Sequence, residues 1–259
     1  MAETSDPAAK RKPDFFLYAL ILLMTRLAAP WQLIRVAVRA AESDDTARIA
    51  ETPYAIAVTI VLGETESMVG ELRAELKARK PVVSILKAIH DAARDLRSEM
   101  DLSVDSAWSR QLAAIRAEVS GLLKSEIETT PGFVRRLLRP RPQKEVAPGS
   151  MLDPIDVTEA EMRVEFVGAC RHYASELAIN EATMRAHSEL TLYLETSTKV
   201  LLDSLRQAGD SDRPFKQSQM DAAIRFCKVV FGAEYAGLLA KAAEVAVQAG
   251  TAERKSLRA

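Results

Sequence analysis

The sequence predicts an all-α protein, an antiparallel helical bundle of about seven to eight helices around one long central helix at about residues 158–208. Apolar residues recur at alternating steps of four and three along most of the chain, which is the period of helices that keep one face on their neighbours. Only 5% of the residues are aromatic and Gly is low at 10, a composition that favours helix over sheet. With 48% hydrophobic residues, the chain can bury a sizeable core.

The first forty residues leave three interpretations open. Basic residues 10–12 precede an apolar run at residues 15–34, which contains Arg26 and also Pro30, where a helix should kink or restart. The run has the length of a membrane span, but the cost of a central Arg nearly cancels the gain from its apolar side chains, so insertion would be marginal. The first interpretation is a core helix covered by residues 54–62. The alternatives are a membrane-associated segment and a cleaved signal peptide.

Three amphipathic helices are predicted to follow, at about residues 53–80, 81–100 and 105–130. Thr52 and Pro53 provide a hydroxyl cap and a proline in the first turn, where its missing N–H is tolerated. Pro131 is expected to end the third helix, with one or two further turns at residues 134–138. Short connections between these helices indicate antiparallel neighbours.

The long helix is expected to open with a capping box, in which Thr158 and Glu161 satisfy each other's backbone N–H groups. At 1.5 Å per residue it would be roughly 70 Å long. Two shorter helices should follow, stopped by Gly232 and Gly250. The inward positions of the long helix are Phe166, Cys170, Tyr173, Leu177, Asn180, Met184, His187, Thr191, Leu194, Thr198, Leu201 and Leu205.

The prolines between residues 139 and 155 exclude a helix interior there and indicate a linker. The predicted organisation is therefore a flexible N-terminus at 1–12, an N-terminal helical bundle at 13–138, a Pro/Arg-rich linker at 139–155, a long helix with a two-helix cap at 156–250, and a tail at 251–259.

Few residues in this chain suggest catalysis or metal binding. There is no glycine-rich phosphate loop, no nucleophile elbow and no Cys-x-x-Cys pair, so we lean against an enzyme and expect no cofactor. His90, His172 and His187 lack the spacing of metal ligands. Cys170 and Cys227 fall on apolar helix faces and are expected to be buried free thiols, with a disulfide as the alternative in an exported protein.

Two groups of residues are candidates for binding. Polar side chains at inward positions of the long helix could fix its register, line a small ligand cavity or reach water. These residues are Asn180, His187, Thr191 and Thr198. The predicted linker region has the densest positive charge and could contact phosphate groups, an acidic partner or anionic lipid, or could simply be solvated. Its basic residues are Arg135, Arg136, Arg139, Arg141 and Lys144.

The first functional hypothesis is a non-enzymatic interaction or scaffold protein that binds protein partners or a second copy of itself. The alternative is a peripheral or anchored membrane-associated protein that uses residues 15–34 and the basic linker. A second alternative is a small-ligand sensor or enzyme that uses the polar stretch of the long helix. A net charge of −1 argues against nucleic acid, and a small-molecule partner is not expected. The expected location is the cytoplasm, with membrane association as the alternative.

Overall fold

The computed structural model describes residues 13–24, 26, 27, 31–102 and 105–257, and within these ranges it contains ten α-helices and no strand. The all-α prediction is therefore confirmed. The predicted flexible N-terminus at 1–12, Pro30 and residues 258–259 lie outside the described ranges. The helices are α1 (Pro13–Met24), α2 (Gln32–Ala41), α3 (Thr46–Ala50), α4 (Ala55–Lys77), α5 (Val83–Glu99), α6 (Ala107–Leu138), α7 (Pro154–Tyr173), α8 (Asn180–Arg206), α9 (Arg213–Phe231) and α10 (Ala233–Leu257).

The chain divides into two compact units. Unit 1 consists of Met1–Ser120 and Glu176–Ala178, and unit 2 consists of Gly121–Ser175 and Ile179–Ala259.

Unit 1 is built on contacts of α1 with α4, α4 with α5, and α2 with α3, α4 and α5. The short helix α3 starts at Asp45, whose carboxylate accepts a hydrogen bond of 2.9 Å from the N–H of Ala47. The N–H of Asp101 donates to the carbonyl of Asp44. The fully buried side chains of unit 1 include Ile34, Ile49, Leu62, Leu72, Leu86, Ile89 and Leu96.

In unit 2, α8, α9 and α10 contact one another, and α7 packs on α8 and α9. Gly232 has a φ of 93° and separates α9 from α10, as the sequence predicted. Cys170 and Cys227 are free and buried, which confirms the expectation for both thiols. Burial raises the pKa of each of them to about 12, because the thiolate would lose its hydration.

The predicted continuous helix at 158–208 is wrong in one respect, because the chain leaves helical geometry between α7 and α8. Ala178 adopts a left-handed φ of 55°. The carbonyls of Glu176 and Ala178 accept hydrogen bonds from Arg116 Nε at 2.6 Å and Ser120 Oγ at 3.1 Å. Side-chain donors thus take the place of the helix N–H groups at this break. Leu177 is fully buried as predicted, but Met184, which was predicted to face inward, is 66% exposed, because Ala182, Thr183 and Ala186 are the buried residues at the start of α8.

The start of α7 also differs from the prediction, since the cap is Asp153 instead of Thr158. The Asp153 carboxylate accepts from the N–H of Ile155 at 2.8 Å, and Pro154 occupies the first turn. The hydroxyl of Thr158 donates to the carbonyl of Pro154 inside the helix. A proline that needs no N–H partner and an aspartate cap together begin the helix at Pro154, four residues before Thr158.

Two predicted helix ends are also incorrect. Pro131 lies inside α6, where it is buried, and Thr130 beside it donates to the carbonyl of Glu126 at 2.8 Å. Burial of this stretch offsets the loss of one helix hydrogen bond, so α6 continues to Leu138. At the C-terminus, α10 continues past Gly250 to Leu257, so residues 251–257 are helix instead of the predicted tail.

The predicted linker at 139–155 lies within unit 2 and is held by α9. The buried side-chain amide of Gln219 donates to the carbonyls of Leu137 and Arg139, at 3.3 and 2.9 Å. Further along, the N–H of Leu152 donates to Ser218 Oγ at 3.0 Å. These bonds explain why the division between the units falls at residues 120 and 121 and not at the proline-rich segment.

Candidate functional site

Helix α1 exposes one apolar face to solvent. Phe15 is 84% exposed, Tyr18 60%, Leu22 48% and Leu23 49%. At 100° per residue these four side chains share one side of the helix. We call this set the α1 face. Large apolar residues that are exposed together, in contrast to scattered single ones, indicate a surface that another molecule covers.

On the opposite side of α1, two residues are buried in unit 1, while Leu17 is 36% exposed. Leu20 is 6% and Met24 1% exposed, and α1 packs on α4. The ring of Phe16 lies edge-on to that of Tyr54, with centroids 5.4 Å apart. The burial of Leu20 and Met24 agrees with the core-helix interpretation, whereas Phe15, Tyr18, Leu22 and Leu23 are exposed.

The α1 face lies in the most basic part of the N-terminal sequence. Residues 8–41 contain six basic residues and one acidic residue, whereas the chain as a whole has a net charge of −1. One of these basic residues, Arg35, forms an ion pair with Glu99 at 2.8 Å, and its guanidinium lies over the ring of Trp31. The basic residues are Lys10, Arg11, Lys12, Arg26, Arg35 and Arg39.

The described part of the chain contains no helix with both the length and the apolar character needed to cross a membrane. After Met24 the chain makes a turn in which the N–H groups of Arg26 and Leu27 donate to the carbonyls three residues earlier. Residues 15–34 therefore contain α1 and the start of α2 instead of one continuous helix.

The second candidate set lies at residues 135–144, which we call the basic segment. It begins in the last turn of α6, where positive side chains interact favourably with the helix dipole. Arg135 is paired with Glu189 at 2.8 Å and lies over the ring of Tyr193. The remaining basic residues of the segment are exposed and form no ion pair with a described residue. They are Arg136, Arg139, Arg141 and Lys144.

Aromatic rings hold two of these guanidinium groups. Arg136 lies over Phe133 at 4.7 Å from the ring centroid, and Arg141 lies over Phe215 at 5.2 Å. Arg163 also lies over Phe133, but it is neutralised by Glu159 and by a second carboxylate on α6.

The four polar residues predicted to face inward on the long helix do not form one site. Asn180 is exposed as the first residue of α8. Thr198 is buried and donates to the carbonyl of Leu194 at 2.8 Å, so its own helix satisfies it. Thr191 is half-buried, and its hydroxyl has no hydrogen-bond partner among the described residues.

His187, the fourth of these residues, is half-buried, with Nε2 3.3 Å from Nη1 of Arg171. Burial and the Arg171 charge lower the pKa of His187 below its ordinary value, because both disfavour the imidazolium. A neutral imidazole beside a guanidinium is a hydrogen-bond acceptor.

A groove of about 360 Å³ lies between α8, α9 and α10 in unit 2. Apolar and polar residues both line this groove, and partial burial raises the pKa of Asp221, one of the lining residues. The groove is lined by Leu205, Gln217, Asp221, Ile224, Ala240, Ala243, Glu244, Val247 and Gln248. The polar residues singled out in the sequence are absent from this lining.

Within the described residues, none of the three histidines lies in a cluster of potential metal ligands. Among the residues that the structure describes, no group of three His, Cys, Asp or Glu side chains could hold a metal ion. His90 Nδ1 is 3.0 Å from Asp91 Oδ1, and His172 is exposed on α7.

A comparison of the chain with protein families, curated proteins and solved structures gives no match. The exposure of the α1 face and the charge of the basic segment are therefore what indicate a function. Their signals in the sequence were the apolar run after basic residues 10–12 and the cluster of arginines among prolines.

Proposed function

We propose that this protein is a peripheral membrane-associated helical protein, and that the α1 face is its contact with an anionic lipid surface. The observation that carries the proposal is the exposure of Phe15, Tyr18, Leu22 and Leu23 on one side of α1. Exposed apolar side chains on one side of a helix, with basic residues nearby in the sequence, favour adsorption at the boundary between head groups and acyl chains.

The physical gain comes from moving these side chains out of water. Full burial of one large apolar side chain contributes about 1.5–3 kcal/mol, and partial insertion contributes roughly 1 kcal/mol for each of the four. The sum corresponds to roughly a thousandfold gain in affinity, since about 1.4 kcal/mol is a factor of ten.

The positive charge near α1 in the sequence favours an anionic lipid surface over a protein as the partner of the α1 face. In the sequence, five basic residues besides the paired Arg35 lie within residues 8–41, and each basic residue close to an anionic membrane contributes about 1 kcal/mol. Because Leu20 and Met24 bury the other side of α1 against unit 1, the helix would lie in the plane of the surface.

The test is sedimentation of the full chain with vesicles of phosphatidylcholine and phosphatidylglycerol. The α1-face variant replaces the four exposed residues by serine: Phe15→Ser, Tyr18→Ser, Leu22→Ser and Leu23→Ser. Wild-type protein should sediment with the vesicles, and this variant should bind at least about a hundredfold more weakly because its apolar contact is lost.

The matched control removes four equally exposed apolar side chains from unit 2. It should bind as the wild type does, because these residues lie on α8 and α10.

Binding of the α1-face variant to vesicles with the same affinity as the wild type contradicts the proposal. So does a wild type that self-associates without vesicles while the α1-face variant is monomeric, since the face would then bind a second copy. The control variant is Met184→Ser, Leu192→Ser, Val200→Ser and Leu238→Ser.

A further inference from the structure

The basic segment carries exposed positive charges, whereas the four residues of the α1 face are uncharged. We propose that the four unpaired basic residues of this segment form a phosphate-binding surface for anionic phospholipid head groups. This inference rests on the proposed membrane association and adds a second, electrostatic contact located in unit 2. The four residues are Arg136, Arg139, Arg141 and Lys144.

The first argument is the absence of countercharge. Of the five basic residues in the segment, Arg135 is neutralised by Glu189, and the others form no ion pair with a described residue. There is no acidic residue within the segment, and Glu145 follows directly after it. Four positive charges within nine consecutive residues repel one another, and a polyanionic surface relieves that repulsion.

The second argument is the way in which the guanidinium groups are held. Arg136 and Arg141 lie over the rings of Phe133 and Phe215, so an aromatic face restricts them without using their N–H groups. A guanidinium over a ring keeps its planar fork of donors free for phosphate oxygens. Because the side chains are already restricted, less rotamer entropy is lost when a phosphate binds.

The third argument is that the backbone of the segment is fixed. Gln219 donates to the carbonyls of Leu137 and Arg139, and Phe215 beneath Arg141 is buried. Both contacts come from α9, which fixes the chain between the end of α6 and Arg141. The segment is therefore an ordered surface instead of the solvated linker that its prolines suggest.

Lipid head groups fit this surface better than nucleic acid does. The aromatic rings that contact the segment, Phe133, Tyr193 and Phe215, already lie against arginines and are not free to stack on bases.

The experiment compares glutamine variants of equal charge in the vesicle sedimentation assay. The segment variant replaces the four unpaired residues: Arg136→Gln, Arg139→Gln, Arg141→Gln and Lys144→Gln. The control removes four positive charges from exposed positions elsewhere in unit 2: Lys199→Gln, Arg206→Gln, Lys228→Gln and Lys241→Gln.

On vesicles that contain phosphatidylglycerol, the segment variant should bind at least about tenfold more weakly than the control. Each basic residue near an anionic membrane raises the affinity for that membrane about fivefold. On vesicles of phosphatidylcholine alone, the two variants should bind equally. Added salt should weaken wild-type binding to anionic vesicles more steeply than binding of the segment variant. Circular dichroism of both variants should match that of the wild type.

The outcomes separate this inference from the proposed function. If the α1-face variant loses binding while the segment variant equals its control, the inference is overturned and the proposed function stands. If the segment variant loses binding while the α1-face variant does not, the segment binds lipid and the proposed role of α1 is wrong. A wild type that binds neither kind of vesicle overturns both. Binding of the segment to soluble RNA but not to anionic vesicles overturns the lipid assignment.

Discussion

Helices α1 and α9 are both rich in large apolar residues, but these side chains are buried in α9 and partly exposed in α1. Phe215, Met220 and Phe226 of α9 are buried, because α7, α8 and α10 all contact that helix. Phe15 and Tyr18 of α1 are exposed, although α4 covers the opposite side of the helix. Similar side chains therefore stabilise the fold in one helix and remain available to a partner in the other.

The largest expected effect follows directly from this comparison. Phe226→Ala should lower the free energy of unfolding by about 3–5 kcal/mol, because it leaves a cavity in a fully packed site. Phe15→Ala should change it by less than about 0.5 kcal/mol, because the side chain is already in water. Urea denaturation followed by circular dichroism measures both values. A loss at Phe15 as large as that at Phe226 would show that the α1 face is covered within the folded chain.

A smaller effect is expected where α9 uses a polar group to hold the basic segment. Gln219→Leu removes the amide that donates to the carbonyls of Leu137 and Arg139, and should cost about 1–3 kcal/mol. Backbone amides at residues 139–152 should also exchange with deuterium faster. Gln217→Leu, at an exposed position of the same helix, is the control and should change neither quantity. Unchanged exchange in Gln219→Leu would mean that other contacts fix the segment.

The smallest effect concerns His187, whose pKa is lowered in the folded protein by burial and by Arg171. The unfolded chain, with an ordinary histidine pKa of about 6.5, takes up a proton before the folded chain does as the pH falls. Stability should therefore fall as the pH drops through that value. His187→Leu should fold and should lack this component, which thermal melts between about pH 7.5 and about pH 5.5 would measure. Identical pH profiles for the two proteins would contradict the assignment.

The sequence was sufficient to predict the helical class and several details of the fold. The apolar period placed Leu86, Ile89, Leu194 and Leu201 in the core, and Gly232 marked the boundary between α9 and α10. These features depend on local spacing and on the backbone freedom of glycine, both of which are visible in a short stretch of residues.

Features that depend on distant residues could not be predicted. The break before Asn180 changes which positions of α8 are buried, so that Met184 is exposed, and the donors that stabilise the break are Arg116 and Ser120, far away in the chain. The order of the basic segment depends in the same way on Gln219. These hydrogen bonds form only after tertiary packing, so spacing within a segment does not reveal them.

The candidate site was predictable in position but not in orientation. From Phe15 to Met24, α1 is apolar on every side, so its sequence has no polar stripe to indicate which side faces solvent. Packing of Leu20 and Met24 on α4 decides this, and it leaves Phe15 and Leu22 exposed.

The most direct test of the central claim is the environment of a fluorescent label on the α1 face. Cys170 and Cys227 are buried, with pKa values raised to about 12, so an introduced Leu22→Cys should be labelled selectively. An environment-sensitive label at this position should shift to shorter wavelength and be shielded from aqueous quenchers when phosphatidylglycerol vesicles are added. The same label at Lys199→Cys, on exposed α8 surface, should remain unchanged. A label at Leu22→Cys that stays accessible to the quencher while the protein sediments with vesicles would contradict the claim that the α1 face enters the lipid.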